Sequence, residues 1–201
     1  MRQIALDIRP LTSDRFADLA ALFEEGGDPK WCWCTYFRVR GRDWSNSTAA
    51  GNRAELGARA EHDPAPGLIA YRDARAVGWV SLGPREDYER LAASKILAPV
   101  DDAQVWSIVC FVVSRRARRQ GVAGELLDAA VAYAVAHGAT MLEAYPVDTA
   151  GERIASANAY HGTLGMFERA GFTVVERRQW NATSPVRPIV RRGLTSAGTG
   201  A

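Results

Sequence analysis

The segment VWSIVCFVVSRRARRQGVAGELLDAAVAYAVAHG, residues 105–138, decides the fold class of this chain. Its first part, Val105–Val113, is almost wholly apolar and rich in β-branched residues, which predicts a strand covered on both faces. Its last part predicts an amphipathic helix, because apolar residues recur at helical spacing until Gly138 supplies a C-terminal stop. The predicted buried stripe of that helix consists of Val122, Leu126, Ala129, Ala130 and Tyr133.

The turn between this strand and this helix, Ser114–Gly121, predicts an anion site. It contains four arginines, and the residues at the helix start are small: Gly121, Ala123 and Gly124. Unpaired N–H groups and the positive dipole end of a helix favour an anion there, and the arginines add to that field. The chain has neither the P-loop pattern nor a glycine-rich dinucleotide fingerprint after this strand, so those two phosphate motifs are excluded.

The composition predicts a single soluble domain over residues 1–194, followed by a disordered tail at 195–201. The chain has 201 residues and a formal net charge of +2, from 25 basic and 23 acidic residues, which is too balanced to indicate a nucleic-acid partner. We find no signal peptide and no membrane-length apolar run, so we predict a cytoplasmic protein without a membrane partner.

The three cysteines, an odd number without a signal peptide, favour a reducing compartment. Cys32 and Cys34 lack a second ligand pair at zinc spacing. We therefore predict no metal site and interpret both as small packing residues.

The remaining patterns predict alternating strands and helices. The predicted strands are Ile4–Ile8, Leu68–Tyr71, Ala76–Leu82, Thr140–Pro146, Phe172–Arg178 and Pro188–Arg192. Three further helices are predicted: one that begins at the N-cap Thr12-Ser13-Asp14, one over Ala49–His62, and one over 154–170.

An aromatic segment, Asp28–Asn46, interrupts this order without clear periodicity. Two interpretations stay open for its rings: core anchors of a long loop, or walls of a substrate pocket. Under the second interpretation, the candidate substrate-binding residues are Trp31, Trp33 and Tyr36.

Two motifs identify a family resemblance. Arg118-Arg119-Gln120-Gly121-Val122-Ala123 resembles the pyrophosphate turn of the GNAT acetyltransferase superfamily. Met166–Phe172, MFERAGF, is similar to the Phe-Tyr-Glu-x-x-Gly-Phe end of that family's last helix. The resemblance covers roughly residues 3–192. It implies a fold of the α+β type, with a mixed, mostly antiparallel sheet of about seven strands, flanking helices and splayed central strands.

The resemblance also implies the ligand and the reaction. Acetyl-CoA would be the co-substrate, and a primary amine of a small molecule or a protein would be the acceptor, while a homodimer is left open. The pantetheine arm would pair with the backbone of Phe111 and Val113. The pyrophosphate would lie on the turn formed by Arg118, Arg119, Gly121, Val122, Ala123 and Gly124.

The chain departs from the family pattern at three positions. Ser107 stands where some relatives carry a glutamate base, Phe167 where a tyrosine often protonates the leaving sulfur, and Tyr160 where an asparagine is common. The candidate catalytic residues are therefore Ser107, which would position a water, and Tyr145, which would face the acceptor; a structural role is the alternative for both. An acyl-CoA-binding regulatory module without catalysis is the competing function, and a different phosphate-binding α/β protein is a third.

Overall fold

One seven-stranded sheet forms the centre of the molecule. The computed structural model describes residues 6–149 and 159–194. The strands are β1 (Asp7–Pro10), β2 (Gly67–Arg72), β3 (Arg75–Pro84), β4 (Trp106–Val113), β5 (Met141–Ala144), β6 (Thr173–Arg178) and β7 (Arg187–Gly193). Their order in the sheet is β1-β2-β3-β4-β5-β7-β6. Only the β4–β5 pair is parallel, so the predicted mixed, mostly antiparallel sheet is confirmed.

Helices cover both faces of this sheet. They are α1 (Phe16–Glu24), α2 (Pro29–Cys32), α3 (Gly41–Trp44), α4 (Ala49–Arg59), α5 (Glu89–Ala92), α6 (Val122–Ala136) and α7 (Leu164–Arg169). Within 6–149 and 159–194, none of them is long and apolar enough to cross a membrane.

The contact between α6 and the sheet depends on a glycine in β3. A Cβ atom added at Gly78 would lie 2.7 Å from Val122 Cγ1 and 2.9 Å from Leu126 Cδ1. Only a residue without a side chain lets the helix start approach the sheet this closely. The buried side of α6 is broader than the predicted stripe, because Leu127, Val131 and Ala134 are also buried.

Two hydrophobic cores lie on opposite faces of the sheet. One core contains α1, part of the aromatic segment and large buried rings such as Phe23 and Trp79. The other contains α6, α7, Phe111 and Phe167. Since β4 contributes to both, it is buried on both faces as its apolar sequence predicts.

Several predicted boundaries differ from the observed ones. The first strand covers Asp7–Pro10 among the described residues, so it continues two residues past its predicted end at Ile8; Ile4 and Ala5 lie outside the described residues. The last helix starts only at Leu164, because Gly162 has a φ of +76° and Thr163 is extended, and neither conformation continues an α-helix. Predicted helical residues 154–158 and the predicted tail at 195–201 lie outside the described residues.

Candidate active site

The central strands β4 and β5 diverge next to a β-bulge. They pair only from Trp106↔Leu142 to Ile108↔Ala144. On the other side of β4, Ser81 faces Cys110 and Leu82 faces Ile108, so Val109 is an extra residue in the ladder. A bulge bends its strand and ends regular pairing, and bulges are frequent beside active sites. The predicted splay of the central strands is therefore present, and it begins at Val109.

The chain itself bridges this splay. The Phe111 N–H donates to the Tyr160 carbonyl oxygen at 2.6 Å. On the other side, the Val147 N–H donates to Gly162 O at 3.0 Å, and the Leu164 N–H donates to Val147 O at 2.9 Å. The segment 160–164 thus lies between the free edge of β4 and the residues after β5.

Both backbone positions predicted to hold pantetheine have a partner within the chain. The Phe111 N–H is engaged by Tyr160, and the Val113 carbonyl accepts from Arg118 Nε at 3.2 Å. A ligand strand that pairs along this edge has to replace these hydrogen bonds. The assignment of Phe111 and Val113 to the cofactor stays a prediction.

The start of α6 has the geometry of an anion site, with one change from the predicted amide set. Gly121 is the N-cap residue and has a φ of +83°, a conformation that favours glycine. The Gly124 N–H already donates to Gly121 O at 2.9 Å, so it is not an available donor. The amides of Val122 and Ala123 precede the first bond of the helix and have no acceptor within it. Gly124 contributes open space instead, since a Cβ there would meet no atom within 4 Å.

The four arginines of the turn are exposed. Arg115, Arg116, Arg118 and Arg119 all reach solvent around the helix start. Arg118 turns back to the edge of β4 through its bond to Val113 O. This cationic surface faces the end of α6 that attracts anions.

Ser107 and Tyr145, the predicted catalytic residues, lie together in a buried network. The two hydroxyl oxygens are 3.1 Å apart, and the Tyr145 hydroxyl donates to Glu143 Oε1 at 2.7 Å. Both side chains are fully buried. Burial, followed by the adjacent Glu143 charge, raises the pKa of Tyr145 well above its usual range. The catalytic assignment of Ser107 and Tyr145 stays a prediction, and this burial favours a structural role.

Glu143 is the centre of that network, and the sequence analysis missed it. Arg85 donates to Glu143 Oε1, and Arg191 Nε donates to Oε2 at 2.8 Å. Arg191 also makes a bidentate pair with Asp101, at 2.7 and 2.9 Å. Two carboxylates and two guanidinium groups balance one another, which a fully buried carboxylate requires. The available signal was a glutamate inside the apolar stretch Thr140–Pro146.

The aromatic segment divides into a core ring and a surface cluster. Trp33 is only 3% exposed, and its ring centroid lies 5.4 Å from that of Phe23. A contact with a substrate is not available to Trp33 in this structure. Trp31 is 43% exposed and Tyr36 37% exposed, and both pack edge-on against Trp44, at 5.0 and 5.2 Å. Of the three predicted substrate contacts, Trp31 and Tyr36 therefore stay accessible.

The aromatic segment is anchored beside the splay. Cys34 Sγ lies 3.3 Å from Cys110 Sγ on β4, and the hydrogen bond to Cys110 raises the pKa of the Cys34 thiol. The Phe37 ring lies 5.4 Å from that of His161, next to Tyr160. Among the residues with described positions, no group of three or more His, Cys, Asp or Glu side chains is placed to hold a metal ion.

Comparisons with known proteins agree with this geometry. The Acetyltransferase (GNAT) family profile matches residues 29–172. A GNAT-family acetyltransferase from Streptococcus pneumoniae is similar in structure, with a TM-score of 0.56 at 16% identity, over 95% of this chain and 100% of that one. No curated protein matched the chain.

Two further solved structures share the fold. A polyamine N-acetyltransferase from Drosophila melanogaster gives a TM-score of 0.60 at 10% identity, over 94% of this chain and 100% of the other. A NatC complex bound to Gag peptide and CoA gives 0.54 at 15% identity, over 96% and 100%. These likenesses establish the same fold, which in one case carries CoA.

Proposed function

Because this chain belongs to the acetyltransferase (GNAT) family of acyltransferases, we propose that it transfers the acetyl group of acetyl-CoA to a primary amine. One observation carries the proposal: β4 leaves β5 at Val109 and leads directly into a basic turn and into the first two amides of α6, which have no acceptor within the helix. A thioester and a pyrophosphate can bind at the two ends of such a continuous strand–turn–helix unit.

The residues at the start of α6 fit the diphosphate of CoA. Val122 and Ala123 offer two N–H groups, and Gly124 leaves room for a close approach. The exposed guanidinium groups of Arg118 and Arg119 lie beside them and match the negative charge of a pyrophosphate. We propose these residues, with Gly121, as the cofactor turn.

Phe111 supplies the proposed electrophilic contact. Its N–H points outward from the free edge of β4, where it now donates to Tyr160 O. When a thioester carbonyl replaces Tyr160 O, the same N–H can polarise that carbonyl and stabilise negative charge that develops on its oxygen. Because the donor is fixed by the β3–β4 ladder, little reorganisation is needed at the moment of reaction.

The proposed reaction is direct attack by a neutral amine. A new N–C bond forms, the C–S bond of the thioester breaks, and the thiolate leaves with the electron pair. Phe167 cannot donate a proton to that sulfur, but a thiol pKa near 8.5, the reference value for cysteine, makes the thiolate a tolerable leaving group. The proton of the amine goes to solvent or to a base. Ser107 is the proposed residue for positioning a water, although this requires access to a side chain that is now buried.

Trp31 and Tyr36 form the proposed acceptor side. Both are exposed, and Tyr36 packs on Phe37, which belongs to the core that contains Cys34 and Cys110. The acceptor is proposed to be a small molecule or a protein. We propose a reducing, cytoplasmic compartment, which the three free cysteines support.

The experiment that tests the proposal combines two measurements. Calorimetry with CoA should give binding, and thiol release from acetyl-CoA over a panel of primary amines should give turnover that depends on the amine. CoA binding without amine-dependent release would favour the binding module over the enzyme, and absence of CoA binding would contradict the proposal.

A further inference from the structure

Arg187, the first residue of β7, is a half-buried cation that lacks a charged partner among the described residues. Its Nη1 atom is buried and makes no hydrogen bond, and no ion pair within 6–149 and 159–194 includes its side chain. The arginine directly opposite in β6, Arg178, donates instead to Ala98 O at 2.6 Å. Arg191, on the same strand as Arg187, reaches both Glu143 and Asp101. Arg187 is therefore an exception among the arginines that β6 and β7 direct into the protein.

A buried guanidinium nitrogen without an acceptor is costly. An unsatisfied buried donor loses its hydration, and for a charged group the loss exceeds that of a neutral one. Burial lowers the pKa of the Arg187 guanidinium, which reports the same desolvation. Such a group calls for an explanation, and a ligand that supplies the missing acceptor is one.

No acidic side chain within 6–149 and 159–194 forms an ion pair with Arg187. Its charge acts on Tyr160 and His161. Burial, and then the charge of Arg187, lower the pKa of His161 to about 3, so its imidazole is neutral. His161 is itself 4% exposed, and its Nδ1 is a second buried polar atom without a partner. The strand register agrees with this proximity: β5 pairs Ala144 with Val190, so β7 carries Arg187 toward the residues after β5, where the Val147 N–H donates to Gly162 O. Two buried polar atoms without a partner thus belong to neighbouring elements.

This place adjoins the proposed reaction site. Tyr160 contributes its carbonyl to the Phe111 N–H, and its ring stacks on His161 with centroids 4.1 Å apart. Phe37 of the aromatic segment also packs against His161, with ring centroids 5.4 Å apart. Tyr160 and His161, on which the Arg187 charge acts, therefore connect the Phe111 N–H on one side with Phe37 of the aromatic segment on the other.

We propose that Arg187 binds a carboxylate of the acceptor, so that the substrate class is a small amino acid-like amine and not a polyamine or aminoglycoside. Nη1 is buried in this structure, so a carboxylate meets it once segment 160–164 has left the edge of β4, as the proposed thioester position requires. The carboxylate near the reacting amine then supplies the acceptor that Nη1 lacks and forms a charge-assisted, bidentate pair. A polycationic amine would instead place a second positive charge beside an uncompensated one. Trp31 and Tyr36 would contact an apolar substituent of the acceptor. The inference rests on the proposed acetyl transfer and deepens it.

Product binding tests the inference without requiring turnover. Calorimetry in the presence of CoA would compare three pairs: N-acetyl-L-phenylalanine with N-(2-phenylethyl)acetamide, N-acetyl-L-leucine with N-(3-methylbutyl)acetamide, and N-acetyl-L-alanine with N-ethylacetamide. We expect the carboxylate of at least one pair to bind at least about tenfold more tightly than its decarboxylated partner. The matching free amines should show the same preference in kcat/KM.

Three variants separate recognition from folding. Arg187→Gln should reduce the preference for the carboxylate to within about twofold and leave CoA affinity within about twofold. Arg187→Lys, which retains the charge but not the bidentate geometry, should keep part of the preference. Arg178→Gln is the matched control, because it removes the same charge from the facing position, and it should keep the whole preference.

The outcomes distinguish the two proposals. CoA binding with no carboxylate preference in any pair, or a preference that survives in folded Arg187→Gln, overturns this inference alone. Absence of CoA binding in the unaltered protein contradicts the proposed function and, with it, this inference.

Discussion

The backbone N–H of Phe111 donates to the carbonyl oxygen of Tyr160 at 2.6 Å, across the gap where β4 and β5 separate. The chain thus satisfies, with its own backbone, a donor that the proposed reaction assigns to the thioester. If acetyl-CoA takes this donor, the segment 160–164 has to give up its place beside β4.

Hydrogen exchange detects this replacement. Acetyl-CoA should increase exchange at the Val147 and Leu164 amides by about tenfold or more, because the bonds that hold segment 160–164 would open. The Phe111 amide should stay protected, since the ligand replaces Tyr160 as its acceptor. The Ala170 amide at the end of α7 is the internal control. Greater protection at Leu164 would show that acetyl-CoA binds without displacing the segment.

Gly121→Glu tests the cofactor turn. The substitution places bulk and negative charge at the helix start, so CoA affinity in calorimetry should fall at least about tenfold, or about 1.4 kcal/mol. Gly138→Glu is the matched control, because Gly138 also has a positive φ, +77°, and follows the opposite end of α6. Equal losses in both variants would mean that strain, and not the ligand, explains the result.

Trp31 and Trp33 should respond differently to the same change. Trp31→Ala removes an exposed ring, so it should raise the KM for the acceptor while CoA affinity stays within about twofold. Trp33→Ala empties a site in the core and should lower the free energy of unfolding by about 3–5 kcal/mol. The pair is measured by steady-state kinetics and urea unfolding. An unchanged acceptor KM in Trp31→Ala would assign the aromatic cluster to the scaffold.

Glu143→Gln should destabilise the protein strongly. It leaves Arg85 and Arg191 buried without their shared counter-charge, a loss of about 3–5 kcal/mol in the free energy of unfolding. Glu176→Gln removes an exposed partner of Arg178 and should change stability by less than about 0.5 kcal/mol. Urea unfolding compares the two. A small effect at Glu143 would mean that the network is not needed for stability.

Tyr145→Phe separates structure from chemistry in the same network. The lost hydroxyl leaves Ser107 and Arg85 with one partner fewer, so stability should fall by about 1–3 kcal/mol. We expect kcat to change by less than about tenfold, below the usual effect of removing an acid or base. A hundredfold loss of kcat at unchanged stability would restore the catalytic assignment made from sequence.

His161 should make stability depend on pH. Its pKa is about 3 in the folded state against 6.5 for an ordinary histidine, because burial and the Arg187 charge both oppose protonation. Between pH 6.5 and pH 3 the unfolded chain therefore binds the additional proton, and the free energy of unfolding falls as pH falls, by up to about 1.4 kcal/mol per unit. In His161→Gln this part of the slope should vanish, while the two proteins should have parallel curves above pH 7. Equal slopes below pH 6 would contradict the assignment.

The strand–turn–helix at residues 105–138 was predictable because its signals are local. An apolar β-branched run, small residues at the helix start and a terminal glycine each act within a few residues. The observed β4, Trp106–Val113, and α6, Val122–Ala136, differ from the prediction by one or two residues at their ends. The mixed, mostly antiparallel sheet was predicted from the family resemblance, which two motifs at the expected separation indicated.

The partners of the site residues were not predictable, because they come from distant parts of the chain. Tyr145 was assigned to the acceptor from its place at a strand end, yet it meets Arg85, sixty residues earlier in sequence. Nothing in the sequence distinguishes the Trp31 ring from the Trp33 ring, and the structure separates them at a left-handed turn, with φ of +45° at Trp33 and +50° at Cys34. No periodicity marks Arg187 as an arginine with a buried nitrogen that lacks a hydrogen-bond partner.

The position of β7 has a consequence for how the protein is made. This strand follows β6 in the chain but inserts between β5 and β6 in the sheet. It carries Arg191, one of the two cations that neutralise Glu143. On the ribosome, β5 emerges before β7, so a nascent chain that has already exposed Glu143 cannot yet bury it at low cost. We expect the sheet beyond β4 to assemble only after synthesis has passed residue 193. A C-terminal truncation should therefore impair folding as well as the acceptor site.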